Sequence, residues 1–89
     1  MTHQVEEYHF KDGSIYIAPR SDDRTVEEII YHGKTHPGTS PVYQAIRNNL
    51  FDSKRVIFRN IPKAEAETKA KTLMEYYRSL NRKVLNVKN

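Results

Sequence analysis

The feature that most constrains this chain is an abrupt change of period at Pro62. Before it, Arg55 to Ile61 (RVIFRNI) is the clearest strand in the sequence, and the proline ends it. After it, Ala66, Ala70, Leu73, Tyr77 and Leu80 recur at spacings of four and three, one apolar seam along a helix over 63–80. Glu65 and Glu67 in the first turns and Arg78 in the last suit the helix dipole. A strand and a long amphipathic helix in 89 residues call for one domain in which sheet and helix pack as layers.

The rest of the chain supplies the other elements. Val5 to Phe10 alternates loosely and runs into Lys11-Asp12-Gly13, a turn signal, and Ser14 to Ala18 returns as a second strand. Pro19 to Arg24 is a polar loop. Thr25 and Glu28 have capping-box spacing and would open a helix, whereas Ile29-Ile30-Tyr31 is β-prone. The reading adopted is a strand over Glu28–His32. Ser40-Pro41 starts a helix over 41–50 with the stripe Val42, Ala45, Ile46 and Leu50, weakened at Asn48-Asn49. Val84 to Val87 is a candidate last strand. The expected class is α+β, a small, mainly antiparallel sheet flanked by two helices in the order β-β-β-α-β-α.

Composition narrows the chemistry. There is no cysteine, which excludes disulfides, thiolate metal sites and thiol catalysis. No apolar run approaches the ~20 residues of a membrane span, so no membrane partner is expected. The acidic, polar start MTHQVEEYHF does not read as a signal peptide, and a cytoplasmic protein is expected. The net charge of +4 is unevenly distributed. Residues 1–45 carry four Lys/Arg against seven Asp/Glu, a net −3, and residues 46–89 carry eleven against four, a net +7. A basic half suits phosphate contact, and equally suits a solvated basic face. Tyr76 and Tyr77 lie among these cations where bases would stack, although Tyr77 falls on the seam. The four histidines show no ligand spacing within one helix, with His32 and His36 flanking a turn.

Two segments carry a family resemblance. GSIYIA (Gly13–Ala18) and IIYHGKT (Ile29–Thr35) resemble the paired tyrosine motifs of the GIY-YIG endonucleases, with Ser14 inserted in the first and His32 in place of an aliphatic residue in the second. The helix SPVYQAIRNN with Arg47, the strand RVIFRNIP and the run ending in Leu85-Asn86 are similar to later parts of that family, over about three quarters of the chain. The resemblance implies a β-β-α-β-α fold and metal-assisted phosphodiester hydrolysis of DNA, in preference to RNA. It implies Tyr16 and Tyr31 side by side on neighbouring strands, Arg47 on the phosphate, and magnesium or another divalent cation as Lewis acid. His32, inside the second motif, is a candidate general base. Lys34, Arg55, Arg59 and Asn86 are candidate nucleic-acid contacts.

The resemblance departs from the family at two places. The family's metal-binding glutamate falls on Ala70. Glu67, one turn earlier and rotated by roughly 60°, is a weak substitute. Ala70 fits a natural non-cutting relative, a ligand removed on purpose, or a plain seam residue, and the sequence leaves all three open. Arg47 lies fourteen residues beyond Gly33, farther than the family places its arginine. A second register takes EEYHF as the first motif, IYIA as the second, and Arg24 as the arginine, followed by His32. The functional expectation is a GIY-YIG-like nuclease domain impaired by the missing glutamate. The alternative is a non-catalytic module on the same scaffold that binds nucleic acid or a protein partner.

Overall fold

In the computed structural model, which describes residues 2–86, six elements follow one another. They are β1 (His3–Phe10), β2 (Ile15–Arg20), α1 (Val26–Thr35), α2 (Pro41–Arg47), β3 (Phe51–Ile61) and α3 (Lys63–Ser79). The class is α+β, a three-stranded antiparallel sheet in the order β2-β1-β3 with helices on both faces. None of the helices is long and apolar enough to cross a membrane.

The β1–β2 hairpin forms as the turn residues require. Gly13 has φ +88, a left-handed conformation that costs glycine little. The Asp12 carboxylate accepts from the Ser14 amide at 3.0 Å and from its hydroxyl at 2.6 Å, which closes the turn. Tyr8 therefore stands directly opposite Tyr16, Glu6 opposite Ala18 and Gln4 opposite Arg20.

Being central, β1 is covered on both faces, and alternate side chains feed two cores. Tyr8, Phe10 and Ala18 pack with Ile29, Val42, Ala45 and Ile46 beneath α1 and α2. Val5, Ile15 and Ile17 pack with Ala66 and Ala70 beneath α3. The small seam residues let α3 approach the sheet closely. This layering also buries Glu6 and Glu7. Glu7 accepts from the Tyr77 hydroxyl at 2.8 Å and shares a 2.9 Å hydrogen bond with His9. Burial, then the Glu7 carboxylate, pushes the Tyr77 hydroxyl up to about 12.

The expected strand over Glu28–His32 is helix instead. Thr25 and Glu28 complete a reciprocal capping box, 3.1 Å and 3.0 Å. Val26, Ile29, Ile30 and Gly33 then fall on one face against the core. Capping and period override the β-prone Ile-Ile-Tyr run, so the order is β-β-α-α-β-α. Elsewhere α2 ends at Arg47, since Asn49 adopts φ 60, and the Ser40 side chain forms no capping hydrogen bond. Strand β3 begins four residues before the expected position, at Phe51. Leu80 closes α3 and is exposed, so the seam stops at Tyr77. Of the candidate last strand, Val84 makes a parallel bridge to Ile15, and Val87 lies outside the described residues.

Candidate functional site

The hairpin register brings together side chains that the sequence separates. The Tyr8 and Tyr16 rings stack at 5.7 Å, on the α1–α2 face of the sheet. Arg20 ends β2 on that same face, two alternations beyond Tyr16. Arg24 sits in the loop before α1, His32 projects from α1, and Tyr43 from α2. These six side chains line a cavity of about 190 Å³ floored by Ile29, Val42 and Ile46.

Asp22 ties the two arginines together. Its carboxylate accepts from Arg20 Nε at 3.2 Å and Arg24 Nε at 2.9 Å. Burial alone would raise the Asp22 carboxyl, but the Arg24 hydrogen bond and the nearby Arg20 charge hold it below the usual carboxylate range. Neither guanidinium makes another hydrogen bond among the described residues. Behind them the fully buried Glu6 is held by Gln4 at 2.5 Å and lies 3.6 Å from Lys54, which also bonds Asp23 at 2.8 Å. Three cations thus face three carboxylates, with Asp22 offsetting one of the two arginine charges while Glu6 and Asp23 flank Lys54.

Tyr8, Tyr16 and His32 are held neutral near pH 7. Burial pushes the Tyr8 hydroxyl up to about 12 and raises that of Tyr16. Both are hydrogen-bond donors there and not phenolates. Burial, then the charges of Arg24, His36 and Arg20, lowers the His32 imidazole below its ordinary value, so it is neutral.

Of the residues expected from the sequence, Tyr16 and His32 line this cleft, as does Arg24, the arginine of the second register. Tyr31 does not stand beside Tyr16. It lies on α1, 72% exposed, in a shallow groove with Arg24, Glu27 and Glu28 that meets the cleft at Arg24 and His32. Arg47 donates to the carbonyls of His36 and Gly38, tying down the α1–α2 loop. Lys34 bonds Asn49 at 2.7 Å, away from the cleft. Arg55 and Arg59 are exposed on the edge strand β3, and Arg55 stands opposite Glu7, toward the α3 face. Asn86 bonds the Ile17 amide at 2.9 Å and carbonyl at 2.7 Å, standing in for a neighbouring strand along the outer edge of β2.

The histidine spacing also differs from the expectation. With α1 helical, His32 and His36 are four residues apart on one helix and its cap, their rings 5.2 Å apart. His36 is committed elsewhere, since its Nδ1 accepts from the Gly38 amide and its ring stacks on Tyr43 at 4.2 Å. A divalent metal does not fit the α3 position. Ala70 has no donor and is buried against Val5, Ile15 and Ile17, while Glu67 is exposed on α3. No three His, Asp or Glu side chains gather as a ligand set among the described residues.

Arg20, Asp22 and Tyr43 carry no motif in the sequence, whereas Tyr8 is the tyrosine of EEYHF in the second register. Tyr8 and Tyr16 are also equidistant from the Asp12 turn, a symmetry that pairs them across the hairpin. No family model, curated protein or solved structure matches the chain.

Proposed function

We propose that the chain is a GIY-YIG-like module that binds a DNA backbone phosphate in the Tyr8–Tyr16–Arg20–Arg24–His32 cleft. The observation that carries this reading is the doubly bonded Asp22 carboxylate, an anion already seated between two guanidiniums. A phosphate oxygen has the same charge and acceptor geometry, and arginine suits it for that reason. The neutral tyrosine hydroxyls at one wall are donors for the remaining oxygens. The residues are those of the second motif register, with Tyr8 from EEYHF, Tyr16 from IYIA, then Arg24 and His32. Metal-assisted cleavage is the second reading, favoured by the tyrosines, arginines and histidine sharing one cleft. It lacks a carboxylate from α3, so strand cleavage in magnesium is expected to be absent.

The test is the affinity of a fluorescent oligodeoxynucleotide by anisotropy. Arg20→Gln with Arg24→Gln should weaken binding by about tenfold or more, since charge-assisted contacts are lost. Asp22→Asn should strengthen it, because the competing charge goes and the side chain stays. Unchanged affinity in both variants would remove the cleft from the binding site.

A further inference from the structure

We infer that the phosphate cleft opens onto a base-stacking shelf at Tyr43, so that the DNA bound here is single-stranded. This rests on the phosphate reading above and adds the state of the base beside that phosphate.

The cleft does not end at Tyr16. A second cavity of about 320 Å³ shares Tyr16, Val42 and Tyr43 with it and continues past Ser40 to Met74 and Leu85. The two spaces differ in chemistry. The first holds both arginines, whereas among the described residues no charged side chain lines the second. An anion meets no counter-charge among those side chains, whereas a flat neutral ring has aromatic and thioether surface to cover and hydroxyls at Tyr16 and Ser40 to meet.

Tyr43 is braced for such a role. His36 stacks on it at 4.2 Å and 17° between planes, and His32 meets it nearly edge-on at 5.8 Å. His36 is itself fixed by the Gly38 amide at 2.9 Å, in the loop that Arg47 ties down. A ring held by its neighbours loses little freedom when a ligand covers it. Along a nucleic-acid strand the base lies next to its own phosphate, so one nucleotide spans both spaces. In a duplex that base is paired and stacked on both sides, and only an unpaired base reaches the shelf.

The experiment compares three ligands of equal length: single-stranded DNA, the same strand with abasic sugars, and duplex DNA. The full-length chain should bind the normal single strand about tenfold or more tightly than the abasic one, the scale of one stacked base. Duplex should bind no better than the abasic strand. Tyr43→Leu, which keeps apolar packing and removes the ring, should bring the ratio of normal to abasic affinity close to one. Its fold is checked by thermal unfolding, and Tyr43→Phe should keep the ratio. Equal affinity for normal and abasic strands, or a ratio that survives Tyr43→Leu, overturns the shelf while leaving the phosphate site standing. Tighter binding of duplex than of single strand also overturns it. Loss of all three ligands in the doubly substituted Arg20/Arg24 protein, with the ratio intact in the parent, supports both readings. Absence of any binding by the parent chain removes both.

Discussion

Gly33 shows how one residue can satisfy two readings. In the sequence it closes a tyrosine motif. In the fold it is the point where α1 crosses α2, and a methyl group there would lie 2.5 to 2.9 Å from three atoms of Ile46, its Cβ included. Side-chain rotation cannot move a Cβ, so the helices must part. Gly33→Ala should therefore destabilise the domain by about 1–2 kcal/mol in urea unfolding, although alanine is the better helix former. Its cost should shrink in an Ile46→Ala background, and simple additivity would show that the contact is not the cause. His32 carries a pH prediction. Its proton affinity is depressed, so the folded protein holds it neutral above the ordinary value of 6.5 and loses the associated stability as pH falls through the lower, folded value. A bound phosphate opposes that depression. Oligonucleotide affinity should rise as pH drops below 6.5, and His32→Gln should flatten the rise. A flat profile in the parent protein would place the imidazole away from the phosphate.

At the scale of elements, the Pro62 boundary, the seam of α3 and the β1–β2 turn were legible in the sequence because each rests on local chemistry. Ile29-Ile30-Tyr31 reads as a strand by β-propensity, but the Thr25/Glu28 capping box that the same sequence displays decides for helix. That single difference displaces the site. With a strand there, Tyr31 faces Tyr16; with a helix, Tyr8 does. Tyr16 and His32, which lie in the motifs, line the cleft, and so does Arg24 of the second register. Arg20, Asp22 and Tyr43 lie in no motif, and only the hairpin register and the packing of α2 bring them together. Helix α3 makes its own prediction. Ala70 is 1% exposed among Val5, Ile15, Ile17 and Ala66. Ala70→Glu, the change that the family resemblance invites, buries a carboxylate with no partner at a cost of roughly 3 kcal/mol or more. The expected result is a strongly lowered urea midpoint and no nicking in magnesium. A stable Ala70→Glu protein that nicks plasmid would overturn this account of the seam and restore the family's metal position.

The whole molecule separates charge from site. Its net +4 arises in residues 46–89, while the cleft draws on β1, β2, α1 and α2, with its cations matched by Glu6, Asp22 and Asp23. Under the proposed phosphate reading, two arrangements of DNA are distinguished by their salt dependence. If the strand is held in the cleft, few phosphates are neutralised, and the slope of log affinity against log salt should be about −1 to −2, at roughly −0.7 per phosphate for single strands. If the strand also runs over the basic half, the slope is steeper and shared with Arg55 and Arg59. Those two residues stand on the outer strand, and Arg55 is directed toward the α3 side of the sheet, opposite to the cleft. The cleft geometry therefore predicts that Arg55→Ala leaves the slope unchanged, whereas Arg24→Gln flattens it by about one phosphate. The measurement is a titration of labelled single strand over a range of sodium chloride with each protein. A slope that Arg55→Ala flattens and Arg24→Gln leaves alone would move the DNA to the α3 face. The tyrosines would then be a packed pair in the core beneath α1 and α2, and Asp22 a plain clasp between two surface arginines.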